Sequence, residues 1–249
     1  MMPPLLAAAA VKPQVRVMTW NAHFRNQNSA AFLATLAAEQ PDLIAIQELG
    51  APLADEIGAK LRALFPFQAL YPARNPAGMG VLSRYPFVTT LVPDFSTTSG
   101  CNCQLVTVTV DGQAVTFINA HPWPPKTGLT GGKTFEFNTE AQDRIFDQLL
   151  ARITQATSPL LVTGDLNTMP IQRNYRRLTQ VVQDAYVASG VGPAATFPVS
   201  RTGDSWLTRP LIRIDYIFYD DAWQAQQTWS GSITGSDHRY VMAELVLKR

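Results

Sequence analysis

The chain has 249 residues, 46% of them hydrophobic and 16% charged, with a formal net charge of +1. That length suits a single α/β domain, since such domains reach ~200–250 residues, and the ordinary hydrophobic fraction excludes disorder and coiled coil. No apolar run approaches the ~20 residues of a membrane span, and a charge near zero excludes a protein that coats nucleic acid by bulk electrostatics.

Residues 1–13, with Pro3-Pro4-Leu5-Leu6 and four alanines, read as an N-terminal tail, the trimmed remnant of a targeting or tether segment. They lack the charged start and the long apolar stretch of a signal peptide. A single domain is expected over 14–249. Gln14–Trp20 alternates like a strand, and Ser29–Glu39 places Phe32, Leu33, Leu36 and Ala37 at helical spacing behind Asn28 or Ser29 as cap. Asp42–Gln47 is a buried-strand pattern, Leu53–Phe65 a helix, and Gly80–Ser83 a short strand. Leu105–Val110 and Ala114–Asn119 read as a hairpin turning at Asp111-Gly112. Pro122–Gly132 is a Pro- and Gly-rich loop, followed by a long helix over Glu136–Ile153. Leu160–Thr163 is a strand, Tyr175–Val182 a helix, Gly190–Arg209 irregular, and Ile212–Phe218 and Tyr240–Leu247 strands. The mixture of crossovers and a hairpin implies mixed sheets.

Two features along this path have competing readings. Cys101 and Cys103 make no disulfide framework and no zinc ribbon, and read as inert packed thiols on one strand face. Arg173, Arg176, Arg177, Arg201, Arg209 and Arg213 fall in a stretch with few acids. They fit either a phosphate-binding groove or a solvated charged face.

The informative pattern is where polar residues punctuate apolar runs. Val15–Trp20 runs into Asn21, Leu43–Gln47 into Glu48, Val115–Ala120 into His121 and Leu160–Gly164 into Asp165-Leu166-Asn167. Asp215 interrupts Ile214-Tyr216-Ile217-Phe218, where an unpaired charge is costly, and Asp237-His238 precedes the last strand. Sheet ends are where sites are built. Asn, Glu and Asp supply hard oxygen ligands suited to Mg²⁺, Mn²⁺ or Ca²⁺. A carboxylate can orient and deprotonate water, and a His paired with an Asp can stabilise an anionic transition state. These are parts for hydrolysing a phosphate ester.

The blocks Thr19-Trp20-Asn21, Ile46-Gln47-Glu48, Gly80-Val81-Leu82-Ser83-Arg84, Asn119-Ala120-His121, Gly164-Asp165-Leu166-Asn167, Arg213-Ile214-Asp215-Tyr216-Ile217 and Ser236-Asp237-His238 occur in the order found in one family. In these the sequence resembles the endonuclease/exonuclease/phosphatase superfamily. The resemblance implies a four-layer α/β sandwich, two mixed β-sheets packed face to face with helices on the outer faces. It implies Glu48 as the principal metal ligand with Asn21 near metal and phosphate, and Asp237 as a further ligand. It implies Asp165 and Asn167 at the attacking water, Asp215 orienting His238 on the phosphate, and His121 protonating the leaving oxygen. His23, Arg144, Trp123 and Arg213 are the candidate substrate contacts. His23 stands where some members carry an acid.

The expected activity is a Mg²⁺- or Mn²⁺-dependent phosphodiesterase, with Ca²⁺ as a further candidate ion. Its substrate is a nucleic acid, a smaller phosphodiester or a phospholipid. A monomer without an obligate protein partner is expected, as a soluble catalytic domain in the cytoplasm or exported and tethered. Two competing readings are a zinc hydrolase built on His23, His121 and His238 and a non-catalytic binding module on the same fold.

Overall fold

The structure, a computed structural model, describes residues 14–94, 100–130, 134–202 and 209–248. The expected tail at 1–13 lies outside the described residues. In chain order the elements are β1 (Gln14–Asn21), α1 (Ser29–Glu39), β2 (Leu43–Gln47), α2 (Ala51–Lys60), β3 (Phe67–Tyr71), β4 (Met79–Ser83) and β5 (Phe87–Asp94). There follow β6 (Cys103–Val110), β7 (Gln113–Ala120), β8 (Lys126–Thr130), β9 (Thr134–Asn138), α3 (Glu140–Gln155) and β10 (Leu160–Asp165). The chain ends with α4 (Arg173–Leu178), β11 (Gln183–Asp184), α5 (Ala185–Ser189), β12 (Asp215–Tyr219), β13 (Trp223–Ser232) and β14 (Arg239–Leu247).

Two six-stranded mixed sheets form, ordered β13-β14-β1-β2-β4-β3 and β11-β12-β10-β7-β6-β5. Each has one parallel pair at its centre, β1 with β2 and β7 with β10, joined by a helical crossover, and antiparallel neighbours outside it. The central strands bury both faces, which their sequences show as near-continuous apolar runs. In β1, Val15 and Val17 point into the cluster shared by the two sheets, with Val106, Phe117, Leu161 and Ile217 opposite. Met18 and Trp20 point the other way, against Phe32 and Leu36 of α1 and Leu53 and Ile57 of α2. The Trp20 ring stacks on Phe32 at 4.7 Å. On the far side of the second sheet, α3 and α4 lay Phe146, Leu149 and Leu178 over Ile118, Val162 and Phe218. The order is therefore helices, sheet, sheet, helices, as the resemblance implied.

Several sequence expectations need correction. The Pro122–Gly132 loop contains β8, which pairs with β9 as a separate two-stranded ribbon. The long helix consequently starts at Glu140, where Asn138 accepts the Glu140 N–H at 2.9 Å, and not at Glu136. The helix read over Leu53–Phe65 stops at Lys60, and Leu61 and Phe65 are buried from the turn beyond it. Strand β12 begins at Asp215, so that residue opens the strand instead of interrupting it. Cys101 and Cys103 are not free thiols; they form a disulfide with each other. Within that small ring Asn102, at φ 45°, accepts the His121 N–H through its carbonyl at 2.8 Å.

Candidate active site

Strand register gathers the punctuating residues on one rim. Asn21 ends β1 beside Gln47 of the parallel β2, so Glu48 lies one residue beyond. Asp165 and Asp215 are direct register partners of antiparallel β10 and β12. His121 follows β7, the parallel neighbour of β10, and His238 precedes β14, the antiparallel neighbour of β1. The two strands that flank Asp165 and His121 approach unusually closely. A Cβ on Gly164, at φ 142°, would fall 1.8 Å from the Ala120 carbonyl oxygen, so only glycine serves there. Glu48, Asn167 and His23 all hold φ between 48° and 60°. Such backbone costs ~1–3 kcal/mol per residue and survives where the surroundings enforce it.

Asp165 is the hub. Its Oδ2 accepts Asn21 Nδ2 at 3.0 Å and lies 3.6 Å from His121 Nε2 and 3.7 Å from His238 Nε2. Its Oδ1 accepts the Asn167 N–H at 2.9 Å. The same Asn21 amide donates to Glu48 Oε1 at 3.1 Å, and Glu48 Oε2 accepts the Phe24 N–H at 3.3 Å. On the other ring nitrogen, His238 Nδ1 faces both Asp215 oxygens at 3.0 and 3.2 Å. The Phe197 ring packs beside this imidazole at 4.6 Å.

Charge follows geometry. Burial works against a charged His238, but the Asp215 and Asp165 carboxylates and the Asp215 hydrogen bond outweigh it and push the ring up to about 10. His121 behaves alike: burial opposes its charge, and the Asp165 hydrogen bond and the Asp165 and Glu48 charges raise it nonetheless. Burial alone would raise Asp165, yet the His238 charge and the His121 and Asn21 hydrogen bonds hold it down at about 2. Asp215 is raised, because burial outweighs the His238 charge that pulls it down. With both carboxylate oxygens bracketing Nδ1, the shared proton belongs to the ring.

Glu48, His121, Asp165 and His238 line a cavity of about 400 Å³ together with Asp237, His23 and Trp123. Asp165, Asp215 and His238 each offer a ligand atom within a mutual 4.8 Å. His238, however, turns opposite ring nitrogens to the two carboxylates: Nδ1 is hydrogen-bonded to Asp215, and Nε2 faces the Asp165 carboxylate at 3.7 Å. The donors that fit a cation are elsewhere. The Glu48 and Asp165 carboxylates converge on one Asn21 amide, and the Asp237 carboxylate lines the same cavity. An all-oxygen set of this charge suits a hard divalent ion. The three imidazoles do not form a zinc set among the described residues, since no group of His, Cys, Asp and Glu besides that trio comes together.

The candidate substrate contacts divide. Trp123 lies beside His121, its ring centroid 6.5 Å away, and its carbonyl is fixed by Gln142 Nε2 at 3.1 Å. His23 Nε2 sits 3.0 Å from Arg201 Nη1. Asn167 turns its amide to the Pro122 carbonyl at 3.0 Å, holding the loop that carries Trp123. Arg144 is exposed on α3 and does not line the cavity. Arg213 also stays out of the cavity. It is buried against Asp184 at 2.9 Å, beneath the rings of Tyr175, Tyr186 and Tyr216. The arginine stretch as a whole scatters, for Arg173 pairs with Asp143 and Arg177 with Asp147. Only Arg201 borders the site among the described members.

Arg213→Ala is therefore expected to destabilise the fold by ~3–5 kcal/mol, the usual cost of breaking a buried ion pair. Urea denaturation measures it; a loss of substrate affinity at unchanged stability would restore Arg213 as a substrate contact.

Four residues to which the sequence assigned no role support the site. Ser236 Oγ donates to the Asn21 carbonyl at 2.6 Å and accepts the His238 N–H at 3.0 Å, tying the two together. Gln142 Nε2 donates to both the Trp123 and the Asn167 carbonyls. Gln47 and Asn119, both fully buried, join the sheets beneath the site through Gln47 Nε2 and Asn119 Oδ1 at 2.7 Å. The only sequence signal of Gln47 and Asn119 is an amide one or two residues before Glu48 and His121.

The model of the Endonuclease/Exonuclease/phosphatase family matches residues 18–238. No curated protein matches the chain. Solved structures of similar fold include an endonuclease/exonuclease/phosphatase family protein from Bacteroides thetaiotaomicron, with 15% identity and a TM-score of 0.73, covering 96% of this chain and 100% of that one. An endonuclease/exonuclease/phosphatase from Beutenbergia cavernae gives 20% identity and a TM-score of 0.70 over 95% of this chain and 72% of its own. TDP2 of D. rerio, complexed with a single strand DNA product, gives 16% and 0.72 over 93% and 98%. At these identities the structural likeness establishes the fold.

Proposed function

Because the chain belongs to the endonuclease/exonuclease/phosphatase family, whose members are phosphoric ester hydrolases, we propose that it is a divalent-metal-dependent phosphodiesterase acting by in-line attack of water. One observation carries this reading: Asp165, buried, stands between two imidazoles and the Asn21 amide, in a cavity that also opens on Glu48. Glu48, Asn21 and Asp237 would hold Mg²⁺ or Mn²⁺, which when bound supplies positive charge to the phosphate oxygens.

The remaining steps belong to the chain's own side chains. Asp165 accepts a proton from the attacking water, and Asn21 Nδ2 fixes the carboxylate that does so. His238, held protonated by Asp215, directs its Nε2–H at the oxygens where negative charge builds. His121 gives its Nε2 proton to the departing alkoxide. Proton removal from water and proton delivery to the leaving oxygen thus occur on opposite partners of one hydrogen-bonded cluster.

The test is turnover of bis(p-nitrophenyl) phosphate beside supercoiled plasmid, each with EDTA, Mg²⁺ and Mn²⁺. Metal-dependent release of nitrophenol is expected. Turnover of neither substrate with either metal would sink the reading and leave the binding module. A nuclease is the second reading, favoured by the likeness to TDP2, whose structure holds a single strand DNA product. Nicked plasmid supports it; intact plasmid with diester turnover points to a small-molecule or lipid phosphodiester.

A further inference from the structure

A second cavity, of about 550 Å³, meets the catalytic cavity at His23, which lines both. Its other lining groups are Arg25, Arg201, three amides (Asn26, Gln27, Asn28) and Thr202, with Gly235, and among the described residues none is a carboxylate. Its wall is built, not a chance gathering of surface side chains. The Asn26 N–H donates to the His23 carbonyl at 2.7 Å, closing the turn that carries Arg25, and the Gly235 N–H donates to the Arg201 carbonyl at 2.9 Å. Gly235 holds φ 107°, and a Cβ there would fall 2.2 Å from Asn26 Oδ1, so the two segments pack against each other at van der Waals contact.

The donors in this wall are in excess of the acceptors. Asn26 is 5% exposed, and its Nδ2 has no hydrogen-bond partner among the described residues. Among the described residues Arg201 faces only the imidazole nitrogen of His23, which leaves most of its five N–H donors uncommitted to a carboxylate there. Arg25 lies over the Phe24 ring at 5.1 Å and has no acidic partner among the described residues. Asn28 also caps α1, donating no charge of its own, and the first turn of that helix holds no acid. Glu56, which reaches Ser29 in that turn, is itself paired with Lys60 at 2.7 Å. The positive end of the helix therefore adds to the two guanidiniums.

We propose that this cavity is an anion subsite that binds a second phosphate of the substrate, next to the one being cleaved. Resting on the phosphodiesterase reading, it narrows the substrate class to compounds with at least two phosphates. Among the described residues a cationic headgroup would meet two arginines and no acid, so a choline-type phospholipid is disfavoured. A guanidinium grips phosphate through paired N–H donors, which gives the subsite a preference for phosphate over carboxylate.

Binding is measured in EDTA, so that it does not depend on turnover. The probes are dimethyl phosphate, inorganic pyrophosphate and a thymidine trinucleotide, followed through the ring resonances of His23. Both two-phosphate probes should bind at least tenfold more tightly than dimethyl phosphate. The double variant Arg25→Gln, Arg201→Gln should remove that advantage, and each single variant part of it, with the thermal midpoint checked for each. A stronger response to the trinucleotide identifies a nucleic-acid backbone, and a stronger response to pyrophosphate a polyphosphorylated small molecule. Equal affinity for all three probes, or a preference that survives the double variant, overturns the subsite. The bis(p-nitrophenyl) phosphate assay is separate: lost turnover with intact anion preference condemns the phosphodiesterase reading and spares the anion site.

Discussion

Asp165→Asn is expected to slow bis(p-nitrophenyl) phosphate hydrolysis by roughly 10²–10⁴-fold, the range associated with removing an acid–base group. The amide is nearly isosteric and can still accept the Asn167 N–H through its oxygen, so the loop geometry should persist. What disappears is the negative charge that the His121 and His238 rings face at 3.6 and 3.7 Å. The loss should fall on kcat, with KM changed little, because Asp165 acts on the water and not on the substrate. Stability supplies an independent readout. The folded carboxyl is held at about 2, below its ordinary value, so it contributes stability that is present above about pH 4 and is lost as pH falls towards 2. The variant should lack that component of acid sensitivity. Retained turnover in Asp165→Asn would end the proposed role.

Asp215→Asn probes the carboxylate on the other ring nitrogen of His238. His238 is pushed up to about 10 chiefly by its carboxylate neighbours against an opposing burial cost. Removing one of those charges should bring the ring down, so that in EDTA the wild-type imidazole stays protonated at pH 8 and that of the variant titrates earlier. Ring-carbon chemical shifts against pH measure this. A raised histidine contributes stability that is fully present below about 6.5 and fades as pH rises towards 10. The wild-type advantage over the variant should therefore shrink on the alkaline side. With the carboxylate fully buried, the variant should also lose ~3–5 kcal/mol of stability and a large part of its turnover. An unchanged His238 titration would show that Asp215 does not set the charge of the ring.

The site was more legible than the sheets around it, for a physical reason. Asn21, Glu48, His121 and Asp165 each follow an apolar strand, so a polar residue where packing wants none marks the rim. Strand β13 carries Gln224, Gln226 and Gln227 on an edge, with a bulge between Ala225 and Gln227, and offers no alternation to read. Strands β8 and β9 form an isolated ribbon that packs into neither sheet, so nothing in their sequence follows a core period. Helix α2 ends before its apolar spacing does, since Leu61 and Phe65 reach the core from a turn as well as from a helix. Arg213 misled because it stands two residues before Asp215, which pairs with His238, whereas the arginine itself pairs with Asp184. The disulfide could not be read at all, as two cysteines at that spacing suit a packed strand face equally well.

The path of the chain between the sheets has a consequence for synthesis. The first sheet takes β1 to β4 from the beginning and β13 and β14 from the end, and the second sheet comes from the middle. Asn21 and Glu48 thus leave the ribosome early, but β1 has no antiparallel partner until β14 emerges, and His238 arrives only with it. At ~5–20 residues per second, the interval is on the order of ten seconds or more, during which Glu48 has no His238 opposite it. The residues of the candidate site are consequently apart in a nascent chain until β14 has been made and has paired with β1.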